Sequence, residues 1–402
     1  MARTVGTTVR GIRAPICKAG DNLVEIVVES VLNSMKSENF PLKDRDIIGI
    51  TESLVARTQG NYATIYDIAC DINSKFKEDN LAVLFPLLSR NRFSIILRGI
   101  ALTGKKLFVV LNYPSDEVGN SLIDEELLDE LDINPYTDVL TEKKFRELFG
   151  YNAKHPITGV DYIEEYKKLA VNDNIEIILA NDPKVALNYT KNVLVSNIHS
   201  RNRTKKILKK AGAKTVYSLD EILNKPVNGS GYNEEFGLLG SNKATEEQIK
   251  LFPRDCKRIV EEIQKLMRIR TGKHVEVMVY GDGAYKDPAT KIWELADPVV
   301  SPGYTDGLNG YRNEIKLKYI ADNDLGTLNQ KDMQNAIIQK IKENERMNEN
   351  EKCPTNKESS MGTTPRQITS LLGSLCDLTS GSGDKGTPII LISGYFDNYA
   401  SE

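Results

Sequence analysis

The chain has 402 residues, which is enough for two domains or for one large domain with insertions. Its 53 basic and 56 acidic residues give a formal net charge of −3, so the chain as a whole is not a binder of polyanions such as nucleic acids. The five cysteines are widely spaced and form no CxxC pair, which argues against a disulfide framework and against a zinc site.

The same features predict where the protein works. Reduced, widely spaced thiols are typical of the cytosol. The first residues lack the apolar core of a signal peptide. The longest apolar runs, such as "KLFVVLNY" and "PIILISGY", are far shorter than the roughly 20 residues of a membrane-spanning helix. We therefore expect a cytoplasmic protein without membrane or nucleic-acid partners.

The N-terminal segment, residues 1–115, alternates strand and helix patterns. Apolar residues recur at helical spacing after Asp21, which is placed to cap that helix. Short apolar runs elsewhere predict buried strands, so we expect a layered α/β lobe. The predicted elements are strands over residues 2–10, 44–53, 93–100 and 106–114 and helices over residues 22–38 and 62–76.

The middle segment, residues 116–272, has the pattern of small α/β units. Polar helical pieces surround an apolar strand at residues 175–181, and a helix that ends at a glycine precedes a further strand and helix. Residues 245–272 predict a long helical stretch that is broken near Pro253. We interpret this segment as an enlarged middle region with α/β insertions.

The C-terminal segment, residues 273–402, begins with a clear strand over residues 274–283. Residues 344–363 are rich in Asn, Glu and Lys, which predicts a mobile surface loop. A helix follows with Thr364 as its cap, and a glycine-rich loop over residues 379–388 then leads into the last strand.

The glycine-rich loop is a candidate ligand contact. In a Walker A loop the strand comes first and a helix follows, whereas here the order is reversed and the GK[ST] ending is missing. Glycine still lets backbone N–H groups approach a ligand, and two charged side chains lie among them. A helix C-cap followed by a tight turn is the alternative. The candidate residues are Gly381, Ser382, Gly383, Asp384, Lys385 and Gly386.

Two aspartates are candidate ligands of a divalent metal. Asp282 lies between glycines where a strand ends, which suits Mg²⁺ or Mn²⁺ bridging to a phosphate. A turn built of turn-forming residues gives the same pattern. Asp161 precedes a helix, where the N-cap is the more common role, and Glu164 fits the capping-box position three residues later.

A third group follows the buried strand "IIGI". Glu52, Ser53 and Arg57 come directly after it, and the arginine is of the type that meets anionic ligands. The sequence shows no Ser/His/Asp or Cys/His nucleophile pattern and no GxGxxG motif. The candidates therefore suit phosphate binding better than covalent catalysis.

Five stretches together resemble the coenzyme F420-0:gamma-glutamyl ligase family, whose members add L-glutamate to a deazaflavin precursor with GTP and a divalent metal. "GIRAPICKAGDNLVEIV" is similar to the family's opening, and "DRDIIGITESLVARTQGN" is similar to its next segment. "GVDYIE" and "MVYGDGAYKDP" resemble the segments that carry two metal-binding aspartates. "TSGSGDKGTPIILISGY" resembles the family's final, nucleotide-contacting loop. The greater length resembles a longer, ligase-like branch in bacteria.

The resemblance implies a metal site and a nucleotide site. Asp161 and Asp282 would be the metal ligands. Glu52 and Ser53 stand where the family has Ser-Lys, and Gly283 stands where the family has Thr or Ser. The nucleotide-binding residues that the resemblance implies are Pro15, Ile16, Glu52, Ser53, Arg57, Gly381, Ser382, Gly383, Asp384, Lys385 and Gly386.

The resemblance also implies an α+β fold with a large mixed sheet, flanking helices and an intertwined, two-lobed homodimer. The implied activity is amide ligation, in which GTP or ATP phosphorylates an unknown acceptor carboxylate and the amine of L-glutamate attacks the acyl phosphate. The alternative is a nucleotide- or metabolite-binding protein on the same scaffold without ligase activity, which the Glu52, Ser53 and Gly283 departures favour. A different phosphoryl-transfer reaction would use the same residues.

Overall fold

The computed structural model divides into two compact units. Unit 1 comprises Met1–Thr58 and Asp255–Glu402, and unit 2 comprises Gln59–Arg254. These boundaries differ from those of the three predicted segments, because three strands of the first segment pair with strands of the middle one. The structure describes residues 4–151, 153–155, 159–282, 299–310, 317–318, 322, 329–348, 367–380 and 385–398.

Strands of the described residues form three sheets. They are β1 (Thr8–Ile12), β2 (Ile47–Thr51), β3 (Tyr62–Thr64), β4 (Asn80–Leu84), β5 (Lys106–Leu111), β6 (Leu140–Thr141), β7 (Ile175–Leu179), β8 (Asn192–Val195), β9 (Thr215–Ser218), β10 (Asn242–Lys243), β11 (Gln248–Lys250), β12 (Glu276–Asp282), β13 (Val299–Tyr304) and β14 (Ile389–Ser393).

The helices accompany these strands in both units. They are α1 (Leu23–Glu38), α2 (Glu52–Thr58), α3 (Ile65–Lys75), α4 (Phe93–Ala101), α5 (Glu125–Glu130), α6 (Glu142–Phe149), α7 (Tyr162–Lys167), α8 (Arg201–Lys210), α9 (Cys256–Thr271), α10 (Gln330–Asn348) and α11 (Ile368–Ser380), with 3-10 turns at Pro183–Asn188, Leu219–Glu221 and Asp306–Leu308. The predicted mixed α/β architecture is confirmed, and the predicted homodimer stays a prediction.

Unit 1 is built on a five-stranded mixed sheet in the order β1-β14-β2-β12-β13. Only β2 and β12 run parallel, and the other neighbours are antiparallel. The strands are apolar on both faces because helices cover both. Ile48 and Ile50 pack with α1 and α9 on one face, whereas Ile47 packs with α11 on the other. Full burial of each such side chain contributes about 1.5–3 kcal/mol.

Unit 2 is built on a six-stranded sheet in the order β6-β7-β5-β4-β8-β9. All neighbours are parallel except β6 and β7. One core, which includes residues of α3, α4, α6 and α7, lies on one face, and a second core with Leu208 of α8 lies on the other. This is a doubly wound sheet with helices on both faces. The strands β10, β11 and β3 form a separate small antiparallel sheet.

The two ends of unit 2 are joined by reciprocal hydrogen bonds. Gln59 Nε2 donates to the carbonyl oxygen of Arg254 at 2.6 Å, and the backbone N–H of Arg254 donates to Gln59 Oε1 at 2.9 Å. The segment therefore leaves and returns at one place. In the part of the chain that the structure describes, no helix is long and apolar enough to cross a membrane.

Two predicted elements are wrong in type. The strand predicted over residues 93–100 is helix α4, and part of the stretch predicted as helical from residue 245 is strand β11. Nearly every residue of α4 is buried, and its only polar residues are Ser94 and Arg98, so this short apolar run resembles that of a buried strand. The strand β4 was not predicted, although it is apolar and lies at the centre of its sheet.

The predicted caps and loops differ in detail. Asn22, not Asp21, caps α1, because Asn22 Oδ1 accepts the N–H of Glu25 at 3.3 Å. Asp21 instead accepts the N–H of Lys18 at 2.6 Å. The predicted loop at 344–363 begins inside α10, which extends to residue 348. Its remainder, the Thr364 cap and residues 381–384 lie outside the described residues.

Candidate functional site

One edge of the unit 1 sheet brings together segments that are far apart in the sequence. β2 and β12 run parallel, with Thr51 opposite Tyr280. Glu52, which follows β2, and Asp282, which ends β12, therefore lie at the same end of the two strands. The antiparallel β14 enters the sheet at this edge, where the N–H of Thr51 donates to the carbonyl oxygen of Pro388 at 3.0 Å. The residues that follow β2, the end of β12 and the residues that precede β14 therefore meet here.

The N-terminal segment reaches the same edge. The N–H of Ala14 donates to the carbonyl oxygen of Gly386 at 3.4 Å, because β1 runs antiparallel to β14 and ends beside it. Pro15 and Ile16 follow directly, and the Ile16 side chain is 85% exposed. The structure thus places the start of the chain beside the described end of the glycine-rich loop, Lys385 and Gly386.

Glu52 is buried at this edge. It is the first residue of α2, and only 2% of its surface is exposed. A Cβ added to Gly281 would overlap Glu52 Cγ, so the carboxyl side chain lies directly on the backbone of β12 next to Asp282. Burial raises the pKa of the Cys256 thiol to about 12, and the negative charges of Glu52 and Asp255 add to that rise.

Ser53 and Arg57 lie on the exposed side of α2. Burial raises the pKa of the Cys17 thiol and the charge of Asp21 adds to that rise, while the positive charge of Arg57, in the last turn of α2, opposes it. Cys17 follows Pro15 and Ile16 directly. Arg57 is therefore near Cys17 and the adjacent Pro15 and Ile16, as a shared nucleotide site would require.

A cavity of about 950 Å³ opens beside the glycine-rich loop. Lys385 and Thr387 line it together with Arg10 and Arg13 at the end of β1. The Arg10 guanidinium lies 4.4 Å from the centre of the Phe40 ring. The three cations outnumber the one acid of the lining, Glu38, so the cavity favours an anion. The full lining is Arg10, Gly11, Ile12, Arg13, Ser34, Ser37, Glu38, Phe40, Lys385 and Thr387.

Sequence reasoning missed Arg10 and Arg13. Arginines that flank a strand are usually solvated or paired, so nothing in "TVRGIRAP" distinguishes them. Their position three residues apart at the end of the first strand was the available signal. It gains meaning only when β1 is paired with β14.

Asp161 lies in unit 2 and caps α7. Its Oδ1 accepts the N–H groups of Ile163 and Glu164, both at 3.1 Å. Its Oδ2 lies 2.8 Å from Arg146 Nη1, and only 13% of the Asp161 side chain is exposed. Arg146 also pairs with Glu164 at 3.2 Å. The cap, which the sequence left open as an alternative, is present, and the metal role stays a prediction.

The remaining predicted site residues are only partly described. The backbone of Asp282 pairs with Val299, while Gly381, Ser382, Gly383 and Asp384 lie outside the described residues. Among the residues whose side chains the structure describes, no group of three or more His, Cys, Asp and Glu is placed to hold a metal ion.

The comparisons with known proteins define the class. A sequence model of the family described as F420-0:Gamma-glutamyl ligase matches residues 11–394, nearly the whole chain. The chain belongs to this family. Its members are ligases, so the protein belongs to a family of enzymes, and the resemblance seen in the five sequence stretches is confirmed. No sequence among the curated proteins matches the chain.

Proposed function

We propose that the protein is a nucleotide- and divalent-metal-dependent amide ligase that adds L-glutamate, through a gamma-glutamyl-type reaction, to a carboxylate acceptor. The family match supports ligase chemistry. The observation that carries the nucleotide part is the convergence of Ala14, Thr51 and Gly386 on one sheet edge, beside a cavity lined by Arg10, Arg13 and Lys385. GTP is the proposed nucleotide, with ATP as its competitor.

The proposed reaction has two steps. A carboxylate oxygen of the acceptor attacks the γ-phosphorus of GTP, which gives an acyl phosphate and GDP. The amine of glutamate then attacks the acyl carbon, loses a proton and releases inorganic phosphate as the amide forms. Protein groups contribute mainly by positioning and by opposing charge. Lys385, Arg13 and the exposed Arg57 supply positive charge, and backbone N–H groups of the loop bind phosphate oxygens.

The donors at the sheet edge fit a hard divalent cation. Carboxylate oxygens are the ligands that Mg²⁺ and Mn²⁺ prefer, and Glu52 lies against Gly281, beside Asp282. We propose that Asp282 binds the metal, which when bound would neutralise charge on the phosphate oxygens. Asp161 fits less readily, because a cation would have to displace the Arg146 guanidinium from it.

Calorimetric titration tests the nucleotide and metal parts. GTP and ATP are titrated into the full chain with Mn²⁺ or Mg²⁺ and again with EDTA, and we expect binding that EDTA abolishes. Asp282→Asn should remove the metal-dependent binding, because a neutral amide is a weak ligand for these ions. Asp332→Asn, on the exposed face of α10, is the matched control. Unchanged affinity in Asp282→Asn would exclude Asp282 from the site.

A binding protein without ligase activity is the second candidate. The pair Glu52-Ser53 favours it, because it stands where the family has Ser-Lys, so the hydroxyl group of Ser53 replaces the lysine cation and Glu52 adds a buried carboxyl group beside it. The two functions differ in turnover. A ligase releases phosphate from GTP when glutamate and an acceptor carboxylate are present, whereas a binding protein retains intact GTP under the same conditions.

The proposal includes a cytoplasmic homodimer, as the family resemblance implies. Sedimentation velocity of the purified chain is the direct test. A species of twice the chain mass at micromolar concentration supports the dimer, and a monomer at that concentration contradicts it.

A further inference from the structure

Unit 2 contains a cavity of about 640 Å³ that the ligase proposal does not use. Its lining residues follow the carboxyl ends of four neighbouring strands. Phe85 follows β4, Asn112 follows β5, Asn181 comes after β7 and Asn197 comes after β8. A volume of several hundred Å³ suits a small organic molecule.

The topology of the sheet singles out this place. From β4 the chain moves outward through β5 to β7, and then returns to the other side of β4 with β8 and β9. The direction of winding therefore reverses between β4 and β8. In open doubly wound sheets, ligands bind in the crevice outside the carboxyl ends of the strands at this switch point.

Asn197 lines the crevice and carries a buried side-chain oxygen that the described part of the chain leaves without a hydrogen-bond partner. Only 2% of the residue is exposed, and its Nδ2 donates to Ser200 Oγ at 2.7 Å and to Thr204 Oγ1 at 3.3 Å. Its Oδ1 has no partner among the described residues. Buried polar atoms normally have a hydrogen-bond partner, so a donor such as a ligand hydroxyl group would satisfy this oxygen.

The N-terminus of α8 holds a carboxylate of the chain itself. Glu117 accepts the N–H groups of Ile198, His199 (3.2 Å) and Ser200 (3.4 Å), and it also accepts the Ser200 hydroxyl at 3.1 Å. Phosphates bind at such helix N-termini in nucleotide-binding folds, because the N–H groups and the helix dipole favour an anion. Glu117 therefore uses the N–H groups that a phosphate group would need at this helix N-terminus.

The other acids of the crevice are already engaged. Asp116 accepts the N–H groups of Leu88, Val118 and Asn120 and the side-chain amide of Asn120, so both its oxygens are used twice. Asp182 pairs with Lys184 at 3.1 Å. Tyr136, which is 84% exposed, also lines the crevice and supplies an aromatic ring there.

We propose that this crevice binds a nucleoside in preference to its phosphorylated form. Ribose hydroxyls donate to Asn197 Oδ1, the base stacks on Tyr136, and the Glu117 carboxylate excludes a phosphate from the N-terminus of α8. The ligand class follows from the acceptor, the exposed ring and the internal anion at a switch point. The site lies wholly within unit 2 and does not depend on the proposed ligase activity.

Calorimetry on the full chain tests the proposal. The four common ribonucleosides and their 5′-monophosphates are titrated in EDTA, which silences the metal-dependent nucleotide binding proposed for unit 1. We expect at least one nucleoside to bind at least tenfold more tightly than its monophosphate. Absence of binding by all four nucleosides, or equal or tighter binding of the monophosphates, overturns the proposal.

Variants locate the site and test the role of Glu117. Asn197→Ala and Ile207→Trp, which fills the cavity from α8, should each weaken the nucleoside at least tenfold. Lys206→Ala, exposed on the same helix, should leave it unchanged. Glu117→Ala should reverse the preference toward the monophosphate, and an unchanged preference would overturn the role of the carboxylate.

Ile207→Trp tests the location of the site independently of Asn197→Ala. If Asn197→Ala fails to fold by circular dichroism, Ile207→Trp still decides, because Ile207 is partly exposed and makes no structural hydrogen bond through its side chain. Nucleoside binding that Ile207→Trp does not affect would place the ligand elsewhere and contradict the proposal. Loss of GTP binding in Asp282→Asn, by contrast, concerns unit 1 alone.

Discussion

The two units assemble their polar edges in different ways. In unit 1 the edge combines residues from both ends of the chain, because β2 lies between β12 and β14. In unit 2 the crevice is lined from a single continuous stretch, because each parallel strand returns through its own crossover. Separated motifs therefore point to the proposed site of unit 1, whereas only topology points to the crevice of unit 2.

The charged groups described above also differ between the units. In unit 2, Asp116 and Glu117 accept backbone N–H groups and Arg146 pairs with Asp161, so these groups stabilise the structure. In unit 1, Arg10, Arg13 and Lys385 line an open cavity. The comparison predicts that charge removal costs stability in unit 2 and ligand affinity in unit 1.

The largest effect is expected when the Arg146–Asp161 ion pair of unit 2 is broken. Arg146→Ala should lower the free energy of unfolding by about 3 kcal/mol, because it leaves the nearly buried Asp161 without its cation. Urea denaturation followed by circular dichroism measures the change. Lys143→Ala on the same helix is the control, since that side chain is 89% exposed. A loss in Arg146→Ala no larger than in the control would show that the pair does not stabilise unit 2.

The next effect concerns the sheet edge of unit 1. Gly281→Ala places a Cβ against Glu52 Cγ, so we expect a loss of about 1–3 kcal/mol in unfolding free energy and weaker nucleotide binding. Gly6→Ala is the control, because a Cβ at Gly6 meets nothing within 4 Å. Urea denaturation and GTP titration are run on both variants. Wild-type behaviour of Gly281→Ala would mean that Glu52 moves away without consequence.

A smaller effect is expected for the lysine of the glycine-rich loop. Lys385→Ala should weaken GTP binding roughly threefold to tenfold, because the side chain is exposed and an exposed charge contributes only about 1 kcal/mol. Calorimetric titration compares it with Lys331→Ala on exposed α10. A loss beyond a hundredfold would make Lys385 a direct phosphate ligand and would contradict the leading role given to backbone N–H groups.

The smallest effect is a pH dependence in unit 2. Burial raises the pKa of the Glu117 carboxyl, while the N–H groups of Ile198, His199 and Ser200 oppose the rise. A carboxyl with a higher pKa in the folded state stabilises the fold most below its unfolded pKa, and this contribution is lost as pH rises through the folded pKa. Relative to Glu117→Gln, the wild type should therefore lose stability as pH increases from about 4.

Urea denaturation at a series of pH values measures this difference. Glu125→Gln, an exposed carboxyl on α5, is the control and should show a flatter profile relative to the wild type. A Glu117→Gln advantage that is constant with pH, or that shrinks as pH rises, would contradict the direction of the pKa shift.

The sequence predicted elements well where their surroundings impose a period. Helices α1 and α3 alternate buried and exposed faces, and β2 and β12 are short, largely apolar runs. The prediction for α4 was wrong because a short, almost fully buried apolar run is equally typical of a buried strand. For β11, pairing with the distant strand β3 decides the structure.

The site was predictable only in part for the same reason. Glu52 and Asp282 could be singled out because they end apolar strands, yet their shared edge depends on the parallel pairing of β2 with β12. Asp161 and Glu164 were ambiguous, and the ion pair with Arg146, fifteen residues away from Asp161, could not be read from spacing. Asn197 carries no local signal at all.

The order of the strands along the chain determines which unit can fold first during synthesis. Every strand of unit 2 lies within Gln59–Arg254, so its sheets can close before the ribosome adds the rest. β2, by contrast, can pair only after β12 and β14 have been synthesised, and β14 begins at Ile389. Since domains fold as units during translation, the apolar run of β2 stays uncovered on the nascent chain while unit 2 folds.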